Sequence, residues 1–466
     1  MPIKTLHLTN AFHPASGGIR TFYRAMLAAA NAERRYMRLV VPAEESHVEE
    51  VGDYGRIYHV RAPRSPWVDT RYRLILPQMF LSPRGEVRRI LAEEQPDLVE
   101  VCDKYSLCYA AGALRRGWLN GAHRPTIVGL SCERLDDNVS ASMSHGRLAQ
   151  RFARWYIGRI YTGQFDVHLA NSEYTARELR EHQVTRHRRE VHVVPMGVTV
   201  DDLGPWRRSA ELRAELQRLT GGNGSTGSNS EATLLLYAGR LSPEKNLSLL
   251  IEMMPRLDAN TRLIVAGDGP SAAALRQEAD RRAPGRVTFY GHVGERDTLA
   301  RLYASCDVFV HPNPREPFGI RPLEAMASGV PLVAPAAGGL LSYANDTNAW
   351  LAEPTGEAFA RAVRAACQAG PEREDRLTRA RETAAGYAWP NVTRTIFELY
   401  DRLHQLHNDP AVPRRVGCNG PWVDIQPETA DSRVRLRPED PHPWPDGRRK
   451  ISPRRFARTS TRRSTR

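Results

Sequence analysis

Two glutamates eight positions apart bracket the segment Glu316-Pro-Phe-Gly-Ile-Arg-Pro-Leu-Glu324. The apolar run Asp307-Val-Phe-Val310 precedes them, and Ala325-Met-Ala-Ser-Gly-Val-Pro331 follows. This order predicts a strand, a loop carrying Glu316 and a short helix carrying Glu324. In an open α/β sheet, ligands bind just beyond the C-terminal ends of the strands. Two fixed carboxylates there suit a polyhydroxylated ligand, because each accepts two hydroxyl hydrogen bonds worth about 1.5–3 kcal/mol apiece. An isolated pair also has a plainer reading, two solvated acids beside a helix N-terminus whose dipole favours them. The rest of the chain decides between these readings.

Cations lie at the matching strand ends. Leu236-Tyr-Ala-Gly239-Arg240 closes one predicted strand, and Pro243-Glu-Lys245 opens the helix after it. Arg240 and Lys245 would thus flank a helix N-terminus, where free backbone N–H groups and the dipole bind pyrophosphate. Of 66 Lys and Arg residues only four are Lys (Lys4, Lys104, Lys245 and Lys450), so Lys245 beside Arg240 is unlike the generic surface charge of this chain. Val265-Ala-Gly267-Asp-Gly269 and Tyr290-Gly-His-Val293 end the next two strands as tight turns, each a weak signal alone. Near the N-terminus, Ala15-Ser-Gly17-Gly18 separates a strand from a helix, and paired glycines let the backbone approach an anion closely. The pattern is not GxGxxG and no suitably placed acid follows the second strand, so nicotinamide-dinucleotide binding is disfavoured.

The elements that must hold these residues form two series. Strands are expected at 3–8, 37–41, 57–60, 97–101, 126–130, 166–170 and 191–194, separated by helical segments such as 21–30 and 86–94. A second series runs through 234–238, 262–266, 286–290, 307–310, 331–334 and 349–351. Such alternation builds parallel sheets covered on both faces. Between the series, 221–230 is wholly small or polar and reads as a flexible connector, preceded by a helix over 210–219. The expected class is α/β, with two Rossmann-like doubly wound domains facing across a cleft. Their bounds are 1–205 and 231–389, with a helix and linker over 206–230 and a crossover helix over 390–408. Residues 409–466 carry 14 bases and 7 acids, which is 7 of the +13 net charge. Together with missing periodicity, this reads as a disordered basic tail.

Order and spacing together resemble the retaining GT-B glycosyltransferases of family 4. The resemblance runs from about residue 3 to residue 407 and is most specific over 237–339. Its carriers are Gly17-Gly18, Gly239-Arg240 with Lys245, Gly267-Asp-Gly269, and the pair Glu316 and Glu324. The resemblance implies that the first domain binds the acceptor and the second a nucleotide-diphosphate sugar, GDP-mannose or a UDP-hexose. Glu316 would hold the transferred sugar and steady charge at its anomeric carbon, and Glu324 would bind the ribose. Arg240 and Lys245 would neutralise the leaving diphosphate, helped by N–H groups of Gly17, Gly18, Phe318, Gly319 and Ile320. Gly239, Gly269 and Val293 complete the expected donor site. No Asp-x-Asp motif sits at a strand end, so no metal or other cofactor is expected to be required.

One position departs from the family. Many relatives carry a histidine after the strand that ends here at Leu130, whereas this chain reads Ser131-Cys132-Glu133-Arg134-Leu-Asp136-Asp137. Glu133 or Asp137 is a candidate contact to the sugar or acceptor; His13 and His145 have structural readings as well. Six cysteines without CxxC spacing, no apolar run near the roughly 20 residues of a membrane span, and a strand-like start without a signal sequence lead to a cytoplasmic expectation.

Two segments mix cationic and aromatic side chains: 61–76, and the predicted helix 147–161. In the latter, Leu148, Phe152, Tyr156 and Ile160 form one stripe and Arg147, Arg151 and Arg154 another. Two readings stay open for this helix. It packs on the first sheet with a solvated basic face, or it lies against an anionic membrane at the inner face of the cell. The expected acceptor is a glycolipid or polysaccharide hydroxyl, with a soluble acceptor or a catalytically silent nucleotide-sugar-binding protein as alternatives. No recognition motif accompanies the basic tail, so specific nucleic-acid binding is not expected.

Overall fold

The computed structural model describes residues 2–13, 17–65, 72–119, 124–137, 146–184, 188–221 and 231–408. The expected tail 409–466, most of the 221–230 connector and His145 lie outside the described residues.

The first series forms one eight-stranded sheet. Its strands are β1 (Thr5–Thr9), β2 (Met37–Ala43), β3 (His47–Val51), β4 (Gly55–Arg61), β5 (Leu98–Cys102), β6 (Thr126–Ser131), β7 (Val167–Ala170) and β8 (Val191–Val193). The order across the sheet is β3-β4-β2-β1-β5-β6-β7-β8, and every pairing is parallel except β3 with β4. The sequence reading did not anticipate β3. Its residues His-Val-Glu-Glu-Val are largely exposed, as suits an edge strand that buries no face, so no apolar alternation announces it.

The second series forms a six-stranded parallel sheet. It contains β9 (Thr233–Ala238), β10 (Thr261–Ala266), β11 (Val287–Gly291), β12 (Val308–Val310), β13 (Leu332–Pro335) and β14 (Trp350–Ala352), ordered β11-β10-β9-β12-β13-β14. Runs such as Leu234-Leu-Leu-Tyr are buried throughout because helices cover both faces of the sheet.

Each sheet has a point where the chain reverses its direction of travel. β1 lies between β2 and β5 in the first sheet, and β9 lies between β10 and β12 in the second. Loops leaving adjacent strands there depart to opposite faces and open a crevice.

The Trp389–Asn408 helix ties the two halves together. It buries Trp389, Val392, Ile396, Phe397, Tyr400 and Leu403, a stripe at helical spacing, in an apolar cluster that also holds Leu130 of β6 and Leu236 of β9. Its polar anchors sit in the first half. Arg35 grips Asp401 through two bonds of 2.9 and 2.7 Å, and the Tyr400 hydroxyl donates to Glu100 on β5. Glu100 is fully buried, and it also accepts from Tyr23 at 2.9 Å and pairs with His7 at 2.9 Å.

Candidate active site

The loop after β12 carries most of the polar machinery. Glu316 is almost fully buried, and its Oε2 accepts from Lys245 Nζ at 2.8 Å and from Asn313 Nδ2 at 2.9 Å. His311 Nε2 stands 3.5 Å from the same oxygen. Burial alone would push the Glu316 carboxyl up, but Lys245, His311 and Asn313 outweigh it and hold it down at about 2. Burial also holds His311 down at about 4, against the pull of Glu316, so the imidazole is neutral at physiological pH. An acid held this low cannot exchange protons near neutrality. Glu316 is therefore a fixed negative acceptor rather than a proton shuttle.

The backbone around Glu316 is braced from two directions. Gly339 N–H donates to the Glu316 carbonyl at 2.7 Å, and a β-carbon on Gly339 would lie 1.7 Å from the Pro317 carbonyl oxygen. From the first half, the Ser172 hydroxyl donates to that same Pro317 carbonyl at 2.5 Å while it caps the Glu173–His182 helix. Phe318 is buried edge-on against Tyr343, and Tyr343 hydroxyl donates to the Gly319 carbonyl at 2.5 Å. Gly319 has φ of 87° and sits at the N-terminus of the Ile320–Ala327 helix, a conformation that favours glycine. This fixes where the helix begins and aims its free N–H groups outward.

Glu324, on that helix, takes a different set of partners. Its Oε2 accepts from Arg321 Nη1 at 2.7 Å and from the Tyr303 hydroxyl at 2.9 Å. The other guanidinium nitrogen of Arg321 faces the first half: a β-carbon at Gly17 would lie 4.0 Å from Arg321 Nη2. A β-carbon at Gly18 would lie 3.7 Å from Ile320 Cδ1. Gly17 and Gly18 are exposed and begin the Gly17–Ala32 helix, so two helix N-termini converge across the cleft. Free N–H groups and helix dipoles at such a junction favour negative charge.

The β9 end completes the group. Tyr237 hydroxyl donates to the Arg240 carbonyl at 3.0 Å, and the Tyr237 phenol is pushed up by burial and by nearby Glu316, with Arg321 opposing. Contacts thus join Lys245 to Glu316, and Glu324 through Arg321 to the Gly17-Gly18 turn, while Arg240 follows β9 with its carbonyl held by Tyr237. Gly239 and Gly269 stand beside Arg240 for a packing reason. A β-carbon on Gly267 would lie 1.8 Å from the Gly239 carbonyl, and one on Gly269 would lie 2.3 Å from that of Leu241. Val293, just past β11, is half-buried against the core.

On the first-domain wall, Glu133 presents its carbonyl to Lys104 Nζ at 2.5 Å, and Lys104 in turn pairs with buried Glu178 at 2.6 Å. Asp137 accepts from Tyr174 hydroxyl at 2.5 Å and lies 3.6 Å from Arg134. Burial raises the Asp137 carboxyl, with neighbouring Asp136 adding to it and the Tyr174 hydroxyl and Arg134 opposing. His13 instead packs its ring 5.2 Å from Tyr72.

Sequence reasoning did not single out Arg321, Tyr303, His311, Asn313 or Ser172. Two signals were available. His311 and Asn313 are polar residues directly after a buried strand, and Arg321 is a cation on the first turn of a helix, where the dipole disfavours it.

Comparison with known proteins identifies the family and the fold. Residues 16–202 match the family described as Glycosyltransferase Family 4, and residues 223–383 match Glycosyl transferases group 1. The chain is 30% identical over 402 residues to the GDP-mannose-dependent alpha-(1-6)-phosphatidylinositol dimannoside mannosyltransferase of Mycobacterium tuberculosis, covering 84% of this chain and 95% of that one. It is 33% identical over 344 residues to the D-inositol 3-phosphate glycosyltransferase of Geodermatophilus obscurus, covering 70% and 71% of the two. Among solved structures, sucrose-phosphate synthase of Thermosynechococcus elongatus shares the fold with a TM-score of 0.67 at 18% identity, over 86% of this chain and 100% of that one. Anabaena HepE in complex with UDP gives 0.62 at 19% identity over the same shares. The chain belongs to the family 4 glycosyltransferases and has their two-lobed GT-B fold.

Proposed function

We propose that this enzyme is a retaining hexosyltransferase that moves mannose, or another hexose, from GDP-mannose or a UDP-hexose to a hydroxyl of a lipid-linked or polysaccharide acceptor. The observation that carries the reading is the ionised Glu316 carboxylate, pinned by Lys245 beside a junction of two helix N-termini. The phosphatidylinositol dimannoside mannosyltransferase favours GDP-mannose and a glycolipid. A glycolipid acceptor would bring the enzyme into peripheral contact with an anionic membrane from the cytoplasmic side. No helix among the described residues is long and apolar enough to cross one.

In this mechanism the diphosphate lies between the Gly17-Gly18 turn and the Ile320–Ala327 helix, near Arg240 and Lys245. Gly239, Gly269, Val293, Phe318, Gly319 and Ile320 line the donor. Glu324 holds the ribose and Glu316 the hexose hydroxyls. The bond from the anomeric carbon to the phosphate oxygen breaks, and the acceptor oxygen bonds to the same face. The acceptor proton passes to the departing phosphate oxygen, so no protein base is needed where relatives carry histidine. Glu133 and Asp137 line the acceptor side. Charge on the diphosphate grows as the bond breaks, so fixed cations stabilise the transition state more than the ground state.

The test is transfer of radiolabelled mannose from GDP-mannose into a membrane lipid extract. Glu316→Gln should lower turnover at least about a hundredfold, the loss of roughly 2.7 kcal/mol of transition-state stabilisation, in a protein that still unfolds cooperatively, at a melting temperature lowered by loss of the Lys245 ion pair. EDTA should leave wild-type turnover unchanged. Equal turnover in the variant would sink the assignment. A soluble acceptor is the competing reading, supported by the inositol-phosphate relative. Label recovered in the aqueous phase rather than the organic phase would favour it.

A further inference from the structure

The Gly146–Tyr156 helix turns its small side chains inward and its large ones outward. Ala149 and Ala153 are buried, together with Ile157 on the turn that follows, whereas Leu148, Phe152 and Trp155 are 70%, 60% and 50% exposed. Leu148 and Phe152, expected from the sequence to share a stripe with Tyr156 and Ile160, are thus not the packed face. Ala153 and Ile157 join an apolar cluster of the first half, and the bulkier residues are left over. Fully burying such a side chain is worth about 1.5–3 kcal/mol, so three in water at i, i+4 and i+7 form a surface suited to an apolar partner.

The patch extends beyond one helix. Tyr156 neighbours Tyr109, which is exposed, as is Tyr105. The Phe152 ring lies 6.4 Å from that of Tyr156 and 5.8 Å from that of Trp155. Arg151, Arg154 and Arg159 are exposed along the same stretch, and residues 146–165 contain no acid. Apolar side chains, interfacial Tyr and Trp, and unopposed arginines on one face match the layers of a lipid headgroup region.

We propose that this face docks on an anionic lipid bilayer. Leu148 and Phe152 enter the acyl boundary, Trp155, Tyr105 and Tyr109 lie at the headgroups, and Arg151, Arg154 and Arg159 meet lipid phosphates. Charge argues against the other occupants. The tail 409–466 carries twice as many bases as acids, and a second copy would set arginines against arginines. The patch also adjoins the acceptor wall: Tyr156 hydroxyl donates to the Lys104 carbonyl at 2.7 Å, and Lys104 reaches the Glu133 carbonyl. Presentation of a lipid acceptor by the docked bilayer rests on the function proposed above; docking itself does not.

Co-sedimentation of the full chain with vesicles separates the possibilities. Wild type should bind vesicles of equal parts phosphatidylcholine and phosphatidylglycerol and leave phosphatidylcholine vesicles unbound. Phe152→Ser with Trp155→Ser should cut partitioning about tenfold. Arg151→Gln with Arg154→Gln should cut it by a similar factor and flatten its salt dependence. Both variants should keep the wild-type melting temperature and donor hydrolysis. Absence of wild-type binding overturns the proposal, as does equal binding by all three proteins, which would assign it to the tail. Concentration-dependent dimerisation lost in the serine variant, without vesicle binding, would assign the face to a second copy. Failure of donor hydrolysis in wild type would count against the transferase reading and leave the vesicle result standing.

Discussion

Arg321 is the residue whose placement asks most of its surroundings. It stands on the first turn of a helix, where the dipole opposes a cation, yet Glu324 holds one nitrogen at 2.7 Å while another faces Gly17 across the cleft. A guanidinium there adds a third cation to Arg240 and Lys245 around the expected diphosphate. Charge-assisted hydrogen bonds contribute about 1.5–3 kcal/mol, so Arg321→Ala should raise the donor KM about tenfold or more with a smaller change in kcat. Arg321→Lys should recover part of that loss. Unchanged KM in the alanine variant would leave Arg321 with the sole task of holding Glu324. Sequence inspection missed this residue because it faces Gly17, more than 300 positions away, and no local pattern reports that neighbour.

Among the elements, the Trp389–Asn408 helix decides how the halves are joined. Its apolar stripe follows from 3.6 periodicity and was legible as a helix from sequence. Its destination was not, since a stripe reports that something is covered and not what covers it. Tyr400 sets that destination by donating to Glu100, a carboxylate wholly buried on β5. Tyr400→Phe removes one hydrogen-bond partner from a buried carboxyl group, which should cost about 1–3 kcal/mol. Equilibrium urea unfolding should show the midpoint fall; an unchanged midpoint would mean that apolar packing alone seats the helix. The Gly146–Tyr156 helix shows the same limit in another form. The sequence displayed two stripes, and packing chose a third face of small residues for the interior.

At the scale of the whole molecule, buried titrating groups set the acid response. Burial keeps His311 at about 4 and His168 at about 3, both below the usual 6.5. The unfolded chain therefore binds more protons than the native one below pH 6.5, and stability falls as pH drops. Burial opposes ionisation of Glu316 and Asp166 too, yet Lys245 for the one and Arg124 and Arg115 for the other hold both at about 2. Their contribution is complete above pH 4.5 and 3.8 respectively and is lost toward pH 2. Asp103 and Asp137, raised by burial, offset part of that loss. The melting temperature should fall between pH 6.5 and 4 and more steeply below; a flat profile from pH 7 to 4 would contradict these assignments.

The amino-acid sequence alone determined the alternation of strands and helices, and it placed Arg240, Lys245, Glu316 and Glu324 at strand ends and helix starts. Those features are local, written in apolar runs of a few residues and the glycines that end them. Strand order is set by pairing between segments far apart in the chain, so only the tertiary structure decided that β1 and β9 are the switch points. The facing of Gly17 and Gly18 toward Ile320 and Arg321, and the polar edge strand β3, follow from that pairing. The same holds for the outward Leu148, Phe152 and Trp155, because burial is a property of neighbours that the chain brings together only when it folds.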